Sequence, residues 1–219
     1  MSGEARSTER ALLDERVVAV VRHDSAEHAR AIATSCLVGG LRAVEITFTT
    51  PAAAAVIADL VAEDVDGAVI GAGTVLRVSD VTAAAAAGAR FLVSPVTDPD
   101  VLAAGRRAGL LTIPGALTPT EIGVARAHGA RLVKLFPAGT VGPSFVTAIA
   151  SVLPDVRLLP TGGVGEADVE AWLQAGAGAV GIGSQLTQAY AAGGPAAVED
   201  LARRLARHAL RSDLEPHRA

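Results

Sequence analysis

The side chain that most clearly suggests a chemical role is Lys134. It is the only lysine among 19 basic residues, and the others are arginines. Guanidinium stays protonated at physiological pH, so arginine cannot replace an amine that must become neutral and attack a carbonyl group. Lys134 lies between Val133 and Leu135, which predicts a buried strand position. Because burial disfavours the charged ammonium, Lys134 is a candidate nucleophile for imine formation with a ketone. The alternative is a lysine whose head group reaches water at a strand end.

A second ionisable residue in an apolar run is Glu45, which is flanked by Val44 and Ile46. A buried carboxylate is costly unless a cation or a hydrogen-bond donor meets it, and an iminium at Lys134 would do so. Imine chemistry at a carbon–carbon bond also needs a group that moves protons, and a carboxyl with a raised pKa suits that task. We therefore expect Glu45 to transfer protons. The alternative is a structural ion pair with an arginine.

Both residues belong to a pattern of short apolar runs, each followed by an alanine-rich helical pattern. Eight such runs favour a single α/β domain over residues 1–219, a closed (β/α)8 TIM barrel, over an open doubly wound sheet. Residues 1–16 are expected to form a short N-terminal helical extension and residues 211–219 a frayed tail. The predicted strands are 17–22, 43–48, 69–73, 91–94, 111–114, 132–136, 157–161 and 179–183.

The C-terminal ends of these strands are where such a barrel carries its chemistry. Several residues at these ends are not the aliphatic ones that a packed barrel interior needs, so they are candidates for substrate contacts. They are Arg22, Thr74, Pro95, Thr161 and Ser184. Gly162 and Gly163 follow the seventh strand, and with Ser184 their backbone N–H groups could bind a phosphate at a helix N-terminus. The alternative is a pair of tight-turn glycines without a phosphate.

Composition argues against several other classes of function. A net charge of −4 without a basic block disfavours nucleic acid as a partner. The first residues lack the apolar segment of a secretory signal and no continuous apolar span occurs, so we expect a cytoplasmic protein without a membrane interaction. The five histidines are scattered and Cys36 is the only cysteine, so neither a metal nor another cofactor is expected.

Seven short motifs in order suggest a family. The chain resembles the 2-keto-3-deoxy-6-phosphogluconate aldolase and 4-hydroxy-2-oxoglutarate aldolase family from about position 17 to position 186. The motifs are GGLRAVEITFTTP, IGAGTV, FLVSP, TIPGALTPTEI, VKLFPAG, PTGGV and GIGS. The resemblance implies a class I aldolase, a lyase that cleaves a 2-keto-3-deoxy-6-phospho sugar acid to pyruvate and glyceraldehyde 3-phosphate. Cleavage of 4-hydroxy-2-oxoglutarate to pyruvate and glyoxylate is a further candidate reaction.

The resemblance also implies roles for individual residues. Glu45 would transfer protons and Lys134 would form the Schiff base. Thr74 and Thr161 would line the substrate pocket. The phosphate would be held by Gly162, Gly163 and Ser184. A homotrimer is implied in the same way.

One position departs from the pattern of that family. Gluconate-type members have an arginine four residues after the glutamate, where this chain has Thr49. Arg22 could supply a bidentate guanidinium for the pyruvate carboxylate instead. The departure resembles the branch acting on 2-keto-3-deoxy-6-phosphogalactonate, so the stereochemistry of the substrate stays open. A phosphosugar isomerase or epimerase, and a non-catalytic barrel that binds a phosphorylated ligand, are the other functions considered.

Overall fold

Parallel strands form where the apolar runs predict them. The structure, a computed structural model, describes residues 2–211, with side chains described to residue 207, so the tail beyond 211 lies outside the described residues. Six strands form one sheet in the order β5-β4-β3-β2-β1-β9, and β6-β7-β8 form a second. Their bounds are β1 Val17–Val21, β2 Ala43–Thr47, β3 Val69–Gly73, β4 Phe91–Val93, β5 Leu111–Ile113, β6 Gly115–Ala116, β7 Leu132–Leu135, β8 Arg157–Pro160 and β9 Val180–Ile182.

The two sheets are the two arcs of one barrel. The predicted fifth strand is divided into β5 and β6 by Pro114, which has no N–H to donate to a neighbouring strand. Its carbonyl still accepts a 2.8 Å hydrogen bond from Lys134 N, which ties this point to β7. A bridge between Thr161 and Gly181 connects β8 to β9. The strands therefore follow one another around a closed ring, which confirms the (β/α)8 barrel.

Helices surround this ring, and one more precedes it. The first helix lies within the predicted N-terminal extension, and the last is kinked at Gly193 and Gly194, whose backbone is not helical. The α-helices are α1 Gly3–Glu15, α2 Ala26–Val38, α3 Ala53–Ala62, α4 Val78–Ala86, α5 Pro99–Arg107, α6 Pro119–Ala127, α7 Ser144–Val152, α8 Val169–Gln174 and α9 Ser184–Arg211.

The barrel interior is apolar at its N-terminal end. Side chains alternate between the two faces of a strand, so residues two apart share a face. Inward-facing residues pack with Ala5 and Leu12 of α1 in one buried cluster, which contains Val18, Ala43, Val69, Phe91, Val93, Leu111, Ile113, Leu132, Leu159 and Ala179. Two residues beyond Ala43 and Leu132, on the same faces, lie Glu45 and Lys134. The polar residues therefore occupy the C-terminal half of the interior.

Candidate active site

Glu45 and Lys134 come together inside the barrel. They lie on the non-adjacent strands β2 and β7, and Lys134 Nζ is 4.0 Å from Glu45 Oε1. The Lys134 side chain is 6% exposed and the Glu45 side chain is fully buried. This burial contradicts the alternative in which the lysine head group reaches water. The site therefore holds one amine beside one carboxyl group in a largely water-excluded space.

The Glu45 carboxyl group is buried without hydrogen-bond partners among the described residues, and its pKa is raised. Neither of its oxygens has a hydrogen-bond partner in the described part of the chain. Burial raises the pKa of Glu45, and the nearby charges of Lys134 and Arg22 only partly offset this effect. The nearest cation is a lysine, so the alternative of a structural ion pair with an arginine is wrong. A carboxyl that stays protonated to a higher pH can act as a proton donor as well as an acceptor.

An aromatic residue that the sequence analysis did not select lies against Lys134. The ring centroid of Phe136 is 5.3 Å from Lys134 Nζ, within the range of a cation–π interaction. The sequence could have indicated Phe136 as a site residue, because it lies two residues after Lys134 and residues two apart in an extended chain share a face. Phe136 also lies against Gly162, where an added Cβ would be 2.8 Å from the ring.

Two threonines lie at the ends of β3 and β8. Thr161 is buried, and its hydroxyl donates a 3.3 Å hydrogen bond to the Leu159 carbonyl. Thr74 is half-buried and has a φ of 54°, a left-handed conformation that is rare for a β-branched residue. Such strain persists only when the surroundings impose it, and it occurs often at binding sites. Both residues lie at the C-terminal ends of their strands, where the lining of a substrate pocket is predicted.

Arg22 directly follows β1, and its side chain is exposed at the rim. Its carbonyl accepts a 3.1 Å hydrogen bond from the Thr187 hydroxyl, which holds the backbone of this residue against α9. Asp24, two residues further along the chain, lies 2.8 Å from Nδ1 of His23. Glu45 experiences the guanidinium only as a nearby charge. Among the described residues no ion pair occupies the Arg22 guanidinium, whereas the exposed Thr49 carries only a hydroxyl, 3.0 Å from that of Thr47.

The candidate phosphate-binding residues lie at adjacent strand ends. Gly162 and Gly163 both have positive φ, at 84° and 75°, so this turn requires glycine. Ser184 is the first residue of α9, where N–H groups without an intrahelical partner favour an anion. The bridge between Thr161 and Gly181 places these two loops side by side.

Pro95 lies on the other side of the mouth, after β4. It is half-buried and lines a cavity of about 260 Å³ together with Phe136. Pro95 therefore shares a cavity with the residue that contacts Lys134.

Among residues 2–207, no cluster of three or more histidine, cysteine or acidic side chains is arranged to hold a metal ion. Burial raises the pKa of Cys36 to about 12, so its thiol stays protonated and serves as packing on α2. None of the described helices has the length and apolar character needed to cross a membrane.

Comparison with known proteins identifies relatives along most of the chain. The family model for KDPG and KHG aldolase matches residues 8–200. A probable 2-dehydro-3-deoxy-6-phosphogalactonate aldolase from Rhizobium meliloti is 36% identical over 175 residues, which are 80% of this chain and 82% of that protein. A 2-dehydro-3-deoxy-phosphogluconate aldolase from Treponema pallidum is 41% identical over 150 residues, 68% of this chain and 71% of that protein.

A solved structure agrees with these sequence relatives. KDPG aldolase from Legionella pneumophila, with pyruvate captured at low pH as a covalent carbinolamine intermediate, superposes with a TM-score of 0.82 at 29% identity. The match covers 90% of this chain and 97% of that one. The resemblance and the expectation of a lyase are thereby confirmed. This chain belongs to the KDPG and KHG aldolase family.

Proposed function

We propose that this protein cleaves a 2-keto-3-deoxy-6-phospho sugar acid to pyruvate and glyceraldehyde 3-phosphate through an imine at Lys134. The observation that carries the proposal is the buried Lys134 amine 4.0 Å from the unpartnered Glu45 carboxyl. The related Legionella enzyme, in which pyruvate forms a covalent carbinolamine, supports it. This arrangement favours carbon–carbon cleavage over an isomerase, an epimerase or a non-catalytic barrel, because those need no reactive amine.

In the proposed reaction Glu45 carries the proton that leaves the C4 hydroxyl and the proton that is added at C3. Lys134 attacks the C2 carbonyl of the substrate, and the resulting carbinolamine loses water to give an iminium. Glu45, as carboxylate, removes the proton from the C4 hydroxyl, the C3–C4 bond breaks and the aldehyde leaves. The C3–C4 electron pair becomes the enamine, which takes a proton at C3 from the Glu45 carboxyl group. Hydrolysis of the pyruvate iminium then restores the free amine.

The rim of the barrel supplies groups for both ends of the substrate. We propose that Arg22 binds the pyruvate carboxylate, because its exposed guanidinium lies within the electrostatic reach of Glu45. Thr74, Pro95 and Thr161 would line the pocket between them. The phosphate would bind at Gly162 and Gly163 and at Ser184, at the start of α9.

Pyruvate release from paired substrates tests the function. We expect pyruvate to be released from the gluconate epimer, the galactonate epimer or both epimers of the 6-phospho acid. Coupled reduction of pyruvate to lactate measures this release. The unphosphorylated acids should react more slowly because they leave the N-terminus of α9 without an anion. Comparing the two epimers tests the stereochemistry that Thr49 leaves open. Release of glyoxylate from 4-hydroxy-2-oxoglutarate tests the further candidate reaction. An isomerised phosphosugar without pyruvate would contradict the proposal.

Arg22→Lys should weaken pyruvate binding although the charge is kept. A compact ammonium cannot reproduce the planar two-bond contact of guanidinium with a carboxylate. Losing a hydrogen bond to a charged group costs about 1.5 to 3 kcal/mol, so affinity should fall roughly 10-fold to 150-fold. Pyruvate inhibition of cleavage measures this loss, and the imine should still form at high pyruvate.

Matched variants separate this role from a general effect of charge. Arg30→Lys, on α2, alters an exposed arginine that pairs with Asp59 and Glu63 and should leave pyruvate affinity unchanged. Thr49→Arg should bind pyruvate more tightly if it provides a second anchor. Unchanged affinity in Arg22→Lys, with the fold verified by circular dichroism, would remove Arg22 from the binding site.

We also propose that the chain acts as a cytoplasmic homotrimer. Three exposed apolar side chains, Val96, Val124 and Phe136, line the same cavity beside the barrel mouth. Apolar residues grouped in this way are characteristic of a surface covered by a partner. Sedimentation velocity measures the assembly, for which three chains of 22.0 kDa are expected.

A further inference from the structure

The Glu45 carboxyl group occupies space that a side chain on the neighbouring strand would otherwise fill. An ideal Cβ built on Gly73 of β3 would lie 1.8 Å from Glu45 Oε1, 2.5 Å from its Cδ and 2.6 Å from its Cγ. These are the three nearest atoms to that position, and all belong to Glu45. A methyl group at Gly73 would therefore force the Glu45 carboxyl group out of its present position.

Backbone conformation does not explain the glycine at this position. The φ of Gly73 lies outside the positive range that favours glycine, whereas the next residue, Thr74, has a φ of 54°. The residue in the left-handed conformation is thus a threonine, and the glycine precedes it in a conformation open to any residue. What Gly73 supplies is space.

That space matters because no hydrogen bond defines where the carboxyl group lies. Both Glu45 oxygens are unpartnered among the described residues, and Lys134 Nζ at 4.0 Å is beyond hydrogen-bond distance. The position of the carboxyl must then follow from packing. The register of the two strands agrees with such packing between Glu45 and Gly73. Thr47 of β2 pairs with Gly73, and Glu45 lies two residues before Thr47 on the same face.

We propose that Gly73 is a positioning residue for Glu45, its missing side chain forming the recess on β3 that directs the carboxyl group toward the substrate bound to Lys134. The proposal rests on the proposed function for its catalytic consequence. An acid–base group without hydrogen bonds is free to accept and donate protons in turn, so a steric recess locates it without occupying its oxygens.

Gly73→Ala should separate imine formation from proton transfer. Lys134 is unchanged, so borohydride should still trap pyruvate within about threefold of the wild-type yield per folded molecule. Exchange of the pyruvate methyl protons with deuterated water, followed by NMR, should fall at least about 30-fold, because a displaced acid–base group forfeits part of a contribution of roughly 100-fold to 10,000-fold. Gly178→Ala is the control, since its Cβ would meet Leu13 Cδ2 at 2.7 Å, remote from Glu45.

A double-mutant cycle tests the recess even if Gly73→Ala alone does not fold. Glu45→Ala removes the three atoms nearest to the new methyl group, so Gly73→Ala should cost about 5 °C or more of Tm in the wild type but almost none beside Glu45→Ala. An equal loss in both backgrounds, or exchange reduced no more than by Gly178→Ala, would overturn the proposal. Absence of a trapped imine in the wild-type protein would refute the proposed function instead and leave the stability cycle interpretable.

Discussion

Lys134→Arg should abolish pyruvate release while leaving the barrel folded. Guanidinium keeps the positive charge beside Glu45 but cannot lose a proton and form an imine, so turnover should fall by at least about 1,000-fold, as expected for loss of a covalent nucleophile. In the wild-type protein, pyruvate and borohydride should add one covalent mass at Lys134. The coupled lactate assay and peptide mass mapping measure the two effects.

The composition of the chain makes this experiment unusually specific. Lys134 is the only lysine, so the N-terminal amine is the only other primary amine that could be trapped, and peptide mapping separates the two. Arg131→Lys combined with Lys134→Arg moves the lysine to an exposed position just before β7 and serves as a control, which should neither trap pyruvate nor cleave substrate. A trapped adduct outside Lys134, or cleavage by Lys134→Arg, would contradict the mechanism.

Glu45→Gln should lower turnover by about 100-fold or more, because the amide can neither accept nor return the substrate proton. Imine formation needs Lys134 and should persist, so borohydride trapping with pyruvate should still give an adduct. Steady-state cleavage and trapping on the same preparation measure both effects. Near-normal turnover would reassign Glu45 to a structural role.

The same variant should change how stability depends on pH. Burial raises the pKa of Glu45 above its ordinary value of 4.5, so the folded protein binds more protons than the unfolded chain between 4.5 and the raised value. Wild-type stability from this group is therefore complete below pH 4.5 and is lost as pH rises through the raised pKa. Glu45→Gln, which resembles the protonated acid, should lack this loss. Urea unfolding of both proteins across this pH range measures the difference in stability. If the variant is instead unfolded at neutral pH, the Glu45 charge supports a buried pair with Lys134.

Much of the barrel could be predicted because each strand and helix has a recognisable pattern in its own stretch of sequence. Buried parallel strands need continuous apolar runs, and eight such runs separated by helices leave few other topologies. Even so, the predicted fifth strand is two strands, because Pro114 lacks the donor that a continuous ladder requires. An apolar run indicates burial, whereas pairing also depends on each backbone N–H.

The two central residues were recognisable for a chemical reason. A lone lysine in an arginine-rich chain and a glutamate among β-branched residues are both costly to bury, and this cost is visible without coordinates. The glycine turn and Ser184 were predicted as a phosphate site from their place at the last two strand ends. Phe136 was missed because an aromatic residue in an apolar run has packing as its ordinary explanation.

Only the tertiary structure decided the distances and the free space within the site. Alternation along a strand tells which face a side chain takes, but the 4.0 Å between Lys134 and Glu45 spans non-adjacent strands and depends on closure of the barrel. The recess at Gly73 has the same origin, because it is defined by a side chain on another strand. The chemical identity of the site thus resides in single residues, whereas its geometry is a property of packing between segments far apart in the chain.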